Sequence, residues 1–547
     1  MKQILPILAS ILLLPSSLAQ TLEWSTLISG NHKDFVTGGI AEDQFGGIYI
    51  AGLLTSGGSI QGNSVGVAGY NDAFLAKFNS AGEFQWSARG GHAPIGTSGQ
   101  NDDRALAIVV DTNQHAVYYC GAFGTNSSFT GGHYISGRGG FLGRFDYNGN
   151  CMWMRFSNHA RFISIALTNE GDLLVTSDSL ASLAADSVIF FGEPDITLPK
   201  GPAVVKYSSD GELIWGRSMG MKHTGWVHFR NDTVYYVGCS ALTSQADLLG
   251  TAFPANTENA MVLAAMDTTC TTVYWRRDLN ATEFIYKRSG FVNENGYTFC
   301  GVYRGSLYLP EDTIIATVTT PLIMRFGPQG SLIKVFDIHM GPNGHSFGGN
   351  VVPTVQNELI VTLDHLNALN VSGHAFNTAN TMTRGIVLLK LSDDGEVLGY
   401  LHAGPTSSSV PISHRTLDGG IIFTTTTGFT QFTLSNNIPV NGGQDDILLA
   451  KINLPTSIAP KFNNSGQLLI YANPNAGTCT IELPQELTRE RDLWLRIYDS
   501  SGNLVQQSRL AVEQDLIKLD ITAQARGSYL AEVGNGRVKY SGMIIFE

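Results

Sequence analysis

One phrase recurs through most of the chain, and its regular spacing limits the possible folds more than any other feature. It consists of an apolar strand, a turn of Gly, Asn or Asp, and a second strand that often carries Trp, as in Ala73–Trp86 and Gly140–Trp153. Such a period indicates one supersecondary unit per repeat. Equivalent positions lie 59 to 67 residues apart in seven copies, at Lys77, Arg144, Lys206, Ala265, Arg325, Lys390 and Lys451.

A pair of short strands around a tight turn precedes each phrase, for example Thr37–Glu42 with Gly47–Leu53. Four strands per repeat predict the blade of a β-propeller. The seventh repeat begins at Asp446 and lacks its fourth strand, whereas Leu22–Ile28 matches Phe84–Arg89. We therefore predict an all-β protein, a seven-bladed β-propeller closed by its N-terminal strand, which leaves no exposed sheet edge at the junction. The alternative is an open β-solenoid, whose repeats usually run roughly 20 to 50 residues.

The first residues predict export. Lys2 precedes the apolar run Ile4–Leu14, and a small-x-small pattern ends at Ala19, so residues 1–19 read as a signal peptide cleaved between Ala19 and Gln20. No later stretch approaches the roughly 20 apolar residues of a membrane helix, so we expect no transmembrane segment. The net charge of −12 argues against nucleic acid as a partner.

Residues 21–455 resemble bacterial propellers built of SBBP repeats. The first repeat carries the match through Gly47, Tyr49, Asp72–Phe74, Gly82 and Trp86. The resemblance implies the fold and names no ligand. The propeller is expected to span residues 20–455, and a linker of Pro, Asn, Ser and Gly residues should follow over 456–466.

Seven short alternating apolar segments between Leu468 and Phe546 predict a small β-sandwich over residues 467–547. This region also resembles the C-terminal (type A) sorting domain of type IX secretion cargo, although Ala472 stands where the family usually has Pro and Met543 where Lys or Arg is common. The resemblance implies export by the type IX machinery of a Gram-negative bacterium to the medium or the outer cell surface. The matching positions are Tyr471, Asn473, Pro474, Gly477, Tyr498, Gly502, Gly527, Tyr529 and Lys539.

A search for catalytic groups yields no catalytic residue. Asp210 directly precedes Gly211, whereas the Asp-box of sialidases needs an aspartate two residues before the glycine, so a hairpin turn is favoured. Asp446 of the pair Asp445-Asp446 aligns with Asp72, which favours a turn-capping role over a carboxylate pair. The six cysteines form no C-x-x-C pair and the histidines form no H-x-H or H-E-x-x-H motif, so no metal and no cofactor is expected. Buried free thiols are favoured, and one or two disulfides remain open.

The connections between the second and third strands are long and differ from one repeat to the next. They should cluster on one face, which would carry a binding site for an extracellular glycan or protein. The favoured function is a non-enzymatic secreted or surface-attached binding scaffold. The alternative is an extracellular carbohydrate-active enzyme with its site on the same face, and a quinone-dependent dehydrogenase is disfavoured because no quinone-contacting set is evident. The long connections are residues 54–70, 124–138, 179–200, 240–257, 304–319 and 366–383.

Overall fold

The computed structural model contains two compact bodies, one within Ala19–Leu454 and one within Pro455–Glu547. Every regular element in the part of the chain that it describes is a β-strand, which confirms the predicted all-β class. The described residues are 21–30, 34–55, 58–65, 71–92, 103–124, 126–180, 186–220, 224–241, 247–252, 259–310, 312–354, 356–378, 383–407, 410–428, 431–433, 437–439, 445–453, 468–483, 487, 493–499, 504–510, 516–534 and 539–547.

The larger body contains, among these residues, seven groups of four antiparallel strands, which we call units I to VII. Their strands, from first to fourth, are Phe35–Glu42, Ile48–Thr55, Asn71–Phe78 and Phe84–His92 in unit I; Arg104–Asp111, Ala116–Phe123, Gly139–Asp146 and Cys151–Asn158 in unit II; Ala160–Leu167, Leu173–Ser179, Ala203–Tyr207 and Leu213–Ser218 in unit III; Thr224–Arg230, Thr233–Ala241, Asn259–Met266 and Val273–Ala281 in unit IV; Phe284–Asn293, Gly296–Tyr308, Thr313–Phe326 and Leu332–Val335 in unit V; Gly349–Pro353, Leu359–Leu366, Arg384–Leu391 and Val397–Thr406 in unit VI; and Ile412–Arg415, Ile421–Thr427, Asp446–Asn453 and Thr21–Ser29 in unit VII.

The fourth strand of unit VII comes from the other end of the larger body. Thr21–Ser29 pairs antiparallel with Asp446–Asn453, in a register that runs from Thr21 opposite Asn453 to Ile28 opposite Ile447. An ion pair of 2.9 Å between Lys451 Nζ and Glu23 Oε2 joins the two strands. The strand missing from the seventh repeat is therefore supplied by the segment that the sequence comparison indicated.

The apolar core lies between neighbouring units. The second strand Ile48–Thr55 is buried at every position, because its β-branched and aromatic residues face a neighbouring sheet on both sides. One cluster joins Tyr49 and Leu75 of unit I to Val117 and Phe141 of unit II. Packing between sheets, rather than disulfides, stabilises this body, since all six cysteines of the chain are free.

A repeated contact of Trp with Gly joins successive units. Trp86 of unit I donates from Nε1 to the carbonyl of Tyr147, 3.0 Å away in the hairpin turn of unit II, and its ring lies where a Cβ on Gly149 would stand. Gly149 has a φ of 89°, a conformation that glycine adopts without strain. The same pairing occurs between Trp153 and Gly211, between Trp275 and Gly330, and between Trp24 of unit VII and Gly82 of unit I.

A second repeated contact comes from the long connections between second and third strands. Each contains a short hairpin, which we call a clasp hairpin, that bonds to the fourth strand of the preceding unit or to the chain directly after that strand. The clasp hairpins of units I to VII are Ser59–Ile60 with Asn63–Ser64, Ser127–Phe129 with His133–Ile135, Ser187–Phe190 with Ile196–Pro199, Asp247–Leu248 with Thr251–Ala252, residues 305–308 with 313–316, Leu369–Val371 with His374–Phe376, and Gln431–Thr433 with Asn437–Pro439.

The smaller body has two antiparallel sheets in its described part. They enclose a shared apolar cluster that includes Ile481, Ile497 and Ala531. The expected linker over 456–466 lies outside the described residues. The three-stranded sheet contains Leu469–Tyr471, Thr478–Glu482 and Leu516–Asp520, and the four-stranded sheet contains Leu504–Arg509, Trp494–Tyr498, Gly527–Gly534 and Lys539–Phe546.

Candidate functional site

The first strands of all seven units contribute to one cavity of about 640 Å³. Unit VII contributes Ile412 and unit VI contributes Asn350, so the lining passes through every unit of the larger body. A cavity of this size is within the range used for small ligands. We treat this space, called the central cavity below, as the candidate site.

The central cavity carries positive charge. Its lining includes Arg104, Arg161, Lys287 and Arg288, and no Asp or Glu is among the described lining residues. Arg161 is partly compensated, because its Nη2 lies 3.1 Å from Oδ2 of Asp178. The guanidinium of Arg288 lies 4.9 Å from the ring centroid of Tyr286. The lining thus offers cations and aromatic faces to whatever enters.

Lys287 has an unusual environment for a charged side chain. It is 4% exposed, and its Nζ lies 5.1 Å from the ring centroid of Trp226. Burial lowers the pKa of Lys287 to about 7, against a smaller opposing effect of the Cys239 and Cys300 thiols. Since no carboxylate faces it among the described residues, nothing there offsets the cost of burying an ammonium ion.

A β-bulge brings Lys287 and Arg288 to the same cavity. Consecutive residues of a regular strand point to opposite faces, but the register of the first strand of unit V shifts between Lys287 and Ser289. A bulge of this kind redirects a side chain. Sequence reasoning missed both residues, because the bulge becomes visible only from the strand pairing.

Buried carboxylates occur at the beginnings of several strands. Asp34 accepts hydrogen bonds from the Thr55 backbone N–H at 2.7 Å and from the Thr55 hydroxyl at 3.0 Å, and Asp103 bonds the equivalent segment of unit II through the Gly124 N–H. Burial raises the pKa of Asp34 to about 7, and the nearby Asp446 contributes. Burial likewise raises the pKa of Asp446 to about 6. Because the arrangement repeats, these carboxyls tie the start of a first strand to the end of a second strand.

These raised pKa values predict a pH-dependent stability. Between about pH 4 and pH 7 the folded protein binds the Asp34 proton more tightly than the unfolded chain does, so the free energy of unfolding should fall as pH rises through this window. Asp34→Asn should reduce that fall, by at most about 4 kcal/mol at 1.36 kcal/mol per pKa unit. Chemical unfolding at pH 4.5 to 8 measures it, with Asp210→Asn as an exposed control. Equal slopes for Asp34→Asn and wild type would contradict the assignment.

The recurring basic position of the third strand has a structural role. Lys77 pairs with Asp43 at 3.2 Å, Lys206 with Asp172 at 2.8 Å and Lys390 with Glu358 at 2.8 Å. Asp210 is exposed and pairs with Arg144 at 3.1 Å, while Gly211 closes the predicted hairpin turn with a φ of 82°. These residues bind one another rather than a ligand.

Two histidines that are distant in sequence lie next to each other in the structure. Nε2 of His365 lies 3.0 Å from Nε2 of His402, and burial lowers the pKa of both, that of His365 to about 4. His228 is half-buried, and its Nε2 lies 3.4 Å from the Tyr297 hydroxyl. Across the described ranges no group of three His, Cys, Asp or Glu side chains could bind a metal ion. The expectation that the protein binds no metal stays a prediction.

The long connections contain the clasp hairpins in their described parts, and their role in ligand binding stays a prediction. Their clasp hairpins bond to the preceding unit. These bonds use backbone groups that a ligand-binding loop would offer to its ligand. Trp226 lines the central cavity. The predicted cleavage residues Ala19 and Gln20 lie outside the described residues.

The motif residues of the smaller body fix its last strand. Asn473 donates from Nδ2 to the Met543 carbonyl at 2.6 Å and accepts from the Ile545 N–H at 2.7 Å. Tyr498 lies in the strand paired with Gly527–Gly534. Pro474 follows Asn473 directly, Gly477 has a φ of 101°, the Tyr529 hydroxyl donates to the Ala525 carbonyl, and Lys539 begins the last strand; Gly502 lies outside the described residues.

Residues 469–547 match the secretion system C-terminal sorting domain. The resemblance to a type IX sorting domain is thereby confirmed, and it indicates a secreted or cell-surface protein handled by the type IX machinery. Within the described part of the chain, no helix combines the length and apolar character that crossing a membrane requires.

The solved structures that the chain matches share little sequence with it. The Dos1 propeller has 10% identity and a TM-score of 0.35, over 78% of this chain and 95% of its own. The xylan beta-1,4-xylosidase from Bacillus halodurans C-125 has 10% identity and a TM-score of 0.25, over 94% of both chains. A search of the curated proteins gave no match. At these TM-scores the similarities support no inference about activity.

Proposed function

We propose that this protein is an extracellular binding protein: a closed seven-bladed β-propeller of the SBBP-repeat type, exported by type IX secretion, that takes its ligand into the central cavity. The proposed organisation is a signal peptide over residues 1–19, the propeller over 20–455, a linker over 456–466 and the sorting domain over 467–547.

Closure of the ring is supported by the contacts between units VII and I. Trp24 meets Gly82 as Trp86 meets Gly149, and the clasp hairpin of unit I bonds to Thr21–Ser29. These are the contacts that join units adjacent in sequence. A cavity lined by the first strands of all seven units is also what a ring of blades produces around its axis.

The single observation that carries the binding function is the chemistry of the central cavity. Glycoside hydrolysis generally uses two carboxyl groups across the scissile bond, whereas the described lining has cations in place of carboxylates. This lining favours retention of a ligand over hydrolysis of a sugar. It also moves the proposed site from the outer loops to the cavity.

Filling the cavity tests this proposal. Leu106 lines the cavity at the bulge of unit II, so Leu106→Trp should occupy ligand space without touching the sorting domain. Leu417→Trp makes the same change at a side chain that is 67% exposed in a turn. The full chain is applied to an array of glycans and extracellular polymers, with a parallel glycosidase assay.

We expect the wild type and Leu417→Trp to retain the same probes without turnover, and Leu106→Trp to lose them. Retention by Leu106→Trp equal to wild type would contradict a cavity site. Turnover of a retained glycan would contradict the binding function and favour the carbohydrate-active enzyme.

A further inference from the structure

We propose that the central cavity recognises an oxyanion, namely a carboxylate, sulfate or phosphate group of its ligand, and that Lys287 is one of the groups that bind it. This inference rests on the proposed function, because it names the chemistry that the same cavity selects. It depends on the placement of Lys287 and Arg288 rather than on the overall charge of the protein, which is −12.

The fold does not require a charge at position 287. The strand register places Lys287 opposite Gly301 just before the bulge. The same place in units I, II and III is occupied by Val36, Ala105 and Phe162, all of them buried apolar residues. Unit V therefore replaces a core side chain by lysine, at a cost in stability that needs a functional reason.

Lys287 is buried without a counterion among the described residues. No carboxylate pairs with its Nζ in the described part of the chain, where Lys287 is only 4% exposed. An unpaired buried ammonium is strongly disfavoured. An oxyanion in the cavity would supply the missing charge, and charge-assisted hydrogen bonds to such a group are stronger than neutral ones.

The bulge residue of unit V, Arg288, adds a second cation beside Lys287. Units II and III carry apolar Leu106 and Ile163 in the bulge, whereas unit V carries Arg288, which is exposed to the cavity and has no ion pair within the described ranges. Lys287 and Arg288 thus place two cations side by side. Arg161 lies in the same lining but already bonds Asp178, so we assign it a smaller contribution to oxyanion binding.

The surroundings of Lys287 make binding depend on pH. Trp226 and His228 face it from the first strand of unit IV, Cys239 from the second strand of that unit, Cys300 from the second strand of unit V, and Arg288 from its own strand. Burial keeps His228 neutral by lowering its pKa and raises the pKa of both thiols to about 12. Lys287, with a pKa of about 7, is the group that titrates near neutrality.

Binding of an oxyanion should therefore take up a proton at Lys287. The anion stabilises the ammonium form, which raises its pKa, so affinity should increase as pH falls from about 8 toward 7 and level off below that. A purely structural lysine would leave the affinity unchanged over this range.

The test is calorimetric titration of the full chain with sulfate, inorganic phosphate and D-glucuronate, and with D-glucose as the neutral control. Lys287→Met restores an apolar side chain like those of units I to III, and Lys287→Arg keeps a charge that does not titrate. Thermal unfolding of each variant establishes that it folds. Titration with sulfate and with D-glucuronate, whose charges stay constant in this range, at pH 6.5 and 8.0 in buffers of different ionisation enthalpy measures proton uptake at Lys287.

We expect the wild type to bind at least one oxyanion but not glucose, and Lys287→Met, folded, to bind about 10- to 100-fold more weakly. Lys287→Arg should bind without proton uptake. Which probe binds best identifies the source of the oxyanion. Equal binding by Lys287→Met and wild type, or equal binding of glucose and glucuronate, would overturn the inference. If Lys287→Met still retains array probes that Leu106→Trp loses, the proposed function stands and the oxyanion does not.

Discussion

A chain that lacks residues 469–547 is expected to remain inside the cell envelope, with essentially none in the medium or on the outer surface. The sorting domain occupies these residues, and the larger body forms its core from its own strands, so the truncated protein should fold without being exported. Cell fractionation in a bacterium with type IX secretion, with immunoblots of each fraction, measures the distribution.

A point variant refines this prediction. Asn473→Ala removes both side-chain bonds between Asn473 and the last strand and should reduce export to the extent that the last strand detaches. Leu504→Ala, at a side chain 49% exposed in the same body, is the matched control and should be exported normally. Wild-type levels of the truncated chain outside the cell would contradict the role of the sorting domain.

The second large effect is expected at the junction of units VII and I. Trp24→Ala removes a ring that covers Gly82 and a hydrogen bond to the Ser80 carbonyl, and it should lower the free energy of unfolding by roughly 3 kcal/mol. Trp86→Ala should have a similar effect, because its contacts with unit II are the same in kind. Chemical unfolding followed by tryptophan fluorescence and circular dichroism measures both.

The comparison of the two variants tests ring closure. Tyr274→Ala, at an aromatic side chain 58% exposed in the fourth strand of unit IV, controls for loss of an aromatic ring outside a junction and should change stability little. If Trp24→Ala unfolds like wild type while Trp86→Ala is destabilised, the junction contributes nothing to stability and the ring is open there.

The parts of the fold that were predictable are those with a repeated local cause. A hairpin turn needs Gly with a positive φ, and a tryptophan packs against that Gly in several units. The pairs Trp86–Gly149 and Trp24–Gly82 therefore belong to a pattern whose regular spacing is visible in the sequence. Asn473 and Tyr529 were recognisable for a similar reason, since the side chain of each makes a specific hydrogen bond to the backbone of the sorting domain.

The clasp hairpins and the central cavity could not be predicted in the same way. Strands of two to four residues, such as Ser59–Ile60, show no periodicity, and their partners lie in another repeat. The cavity collects one or a few residues from each of seven strands. Lys287 would have been found only by aligning the first strands through their bulges, where a lysine stands among Val36, Ala105 and Phe162.

The pairing of Thr21–Ser29 with Asp446–Asn453 also sets an order of events during biogenesis. The strand that the ribosome makes first must wait for a partner more than 400 residues later, and contacts so distant in sequence form slowly. Until that partner has emerged, both edges stay open to pairing with other chains. We therefore expect the unfolded chain to depend on chaperones until Asp446–Asn453 can pair with Thr21–Ser29.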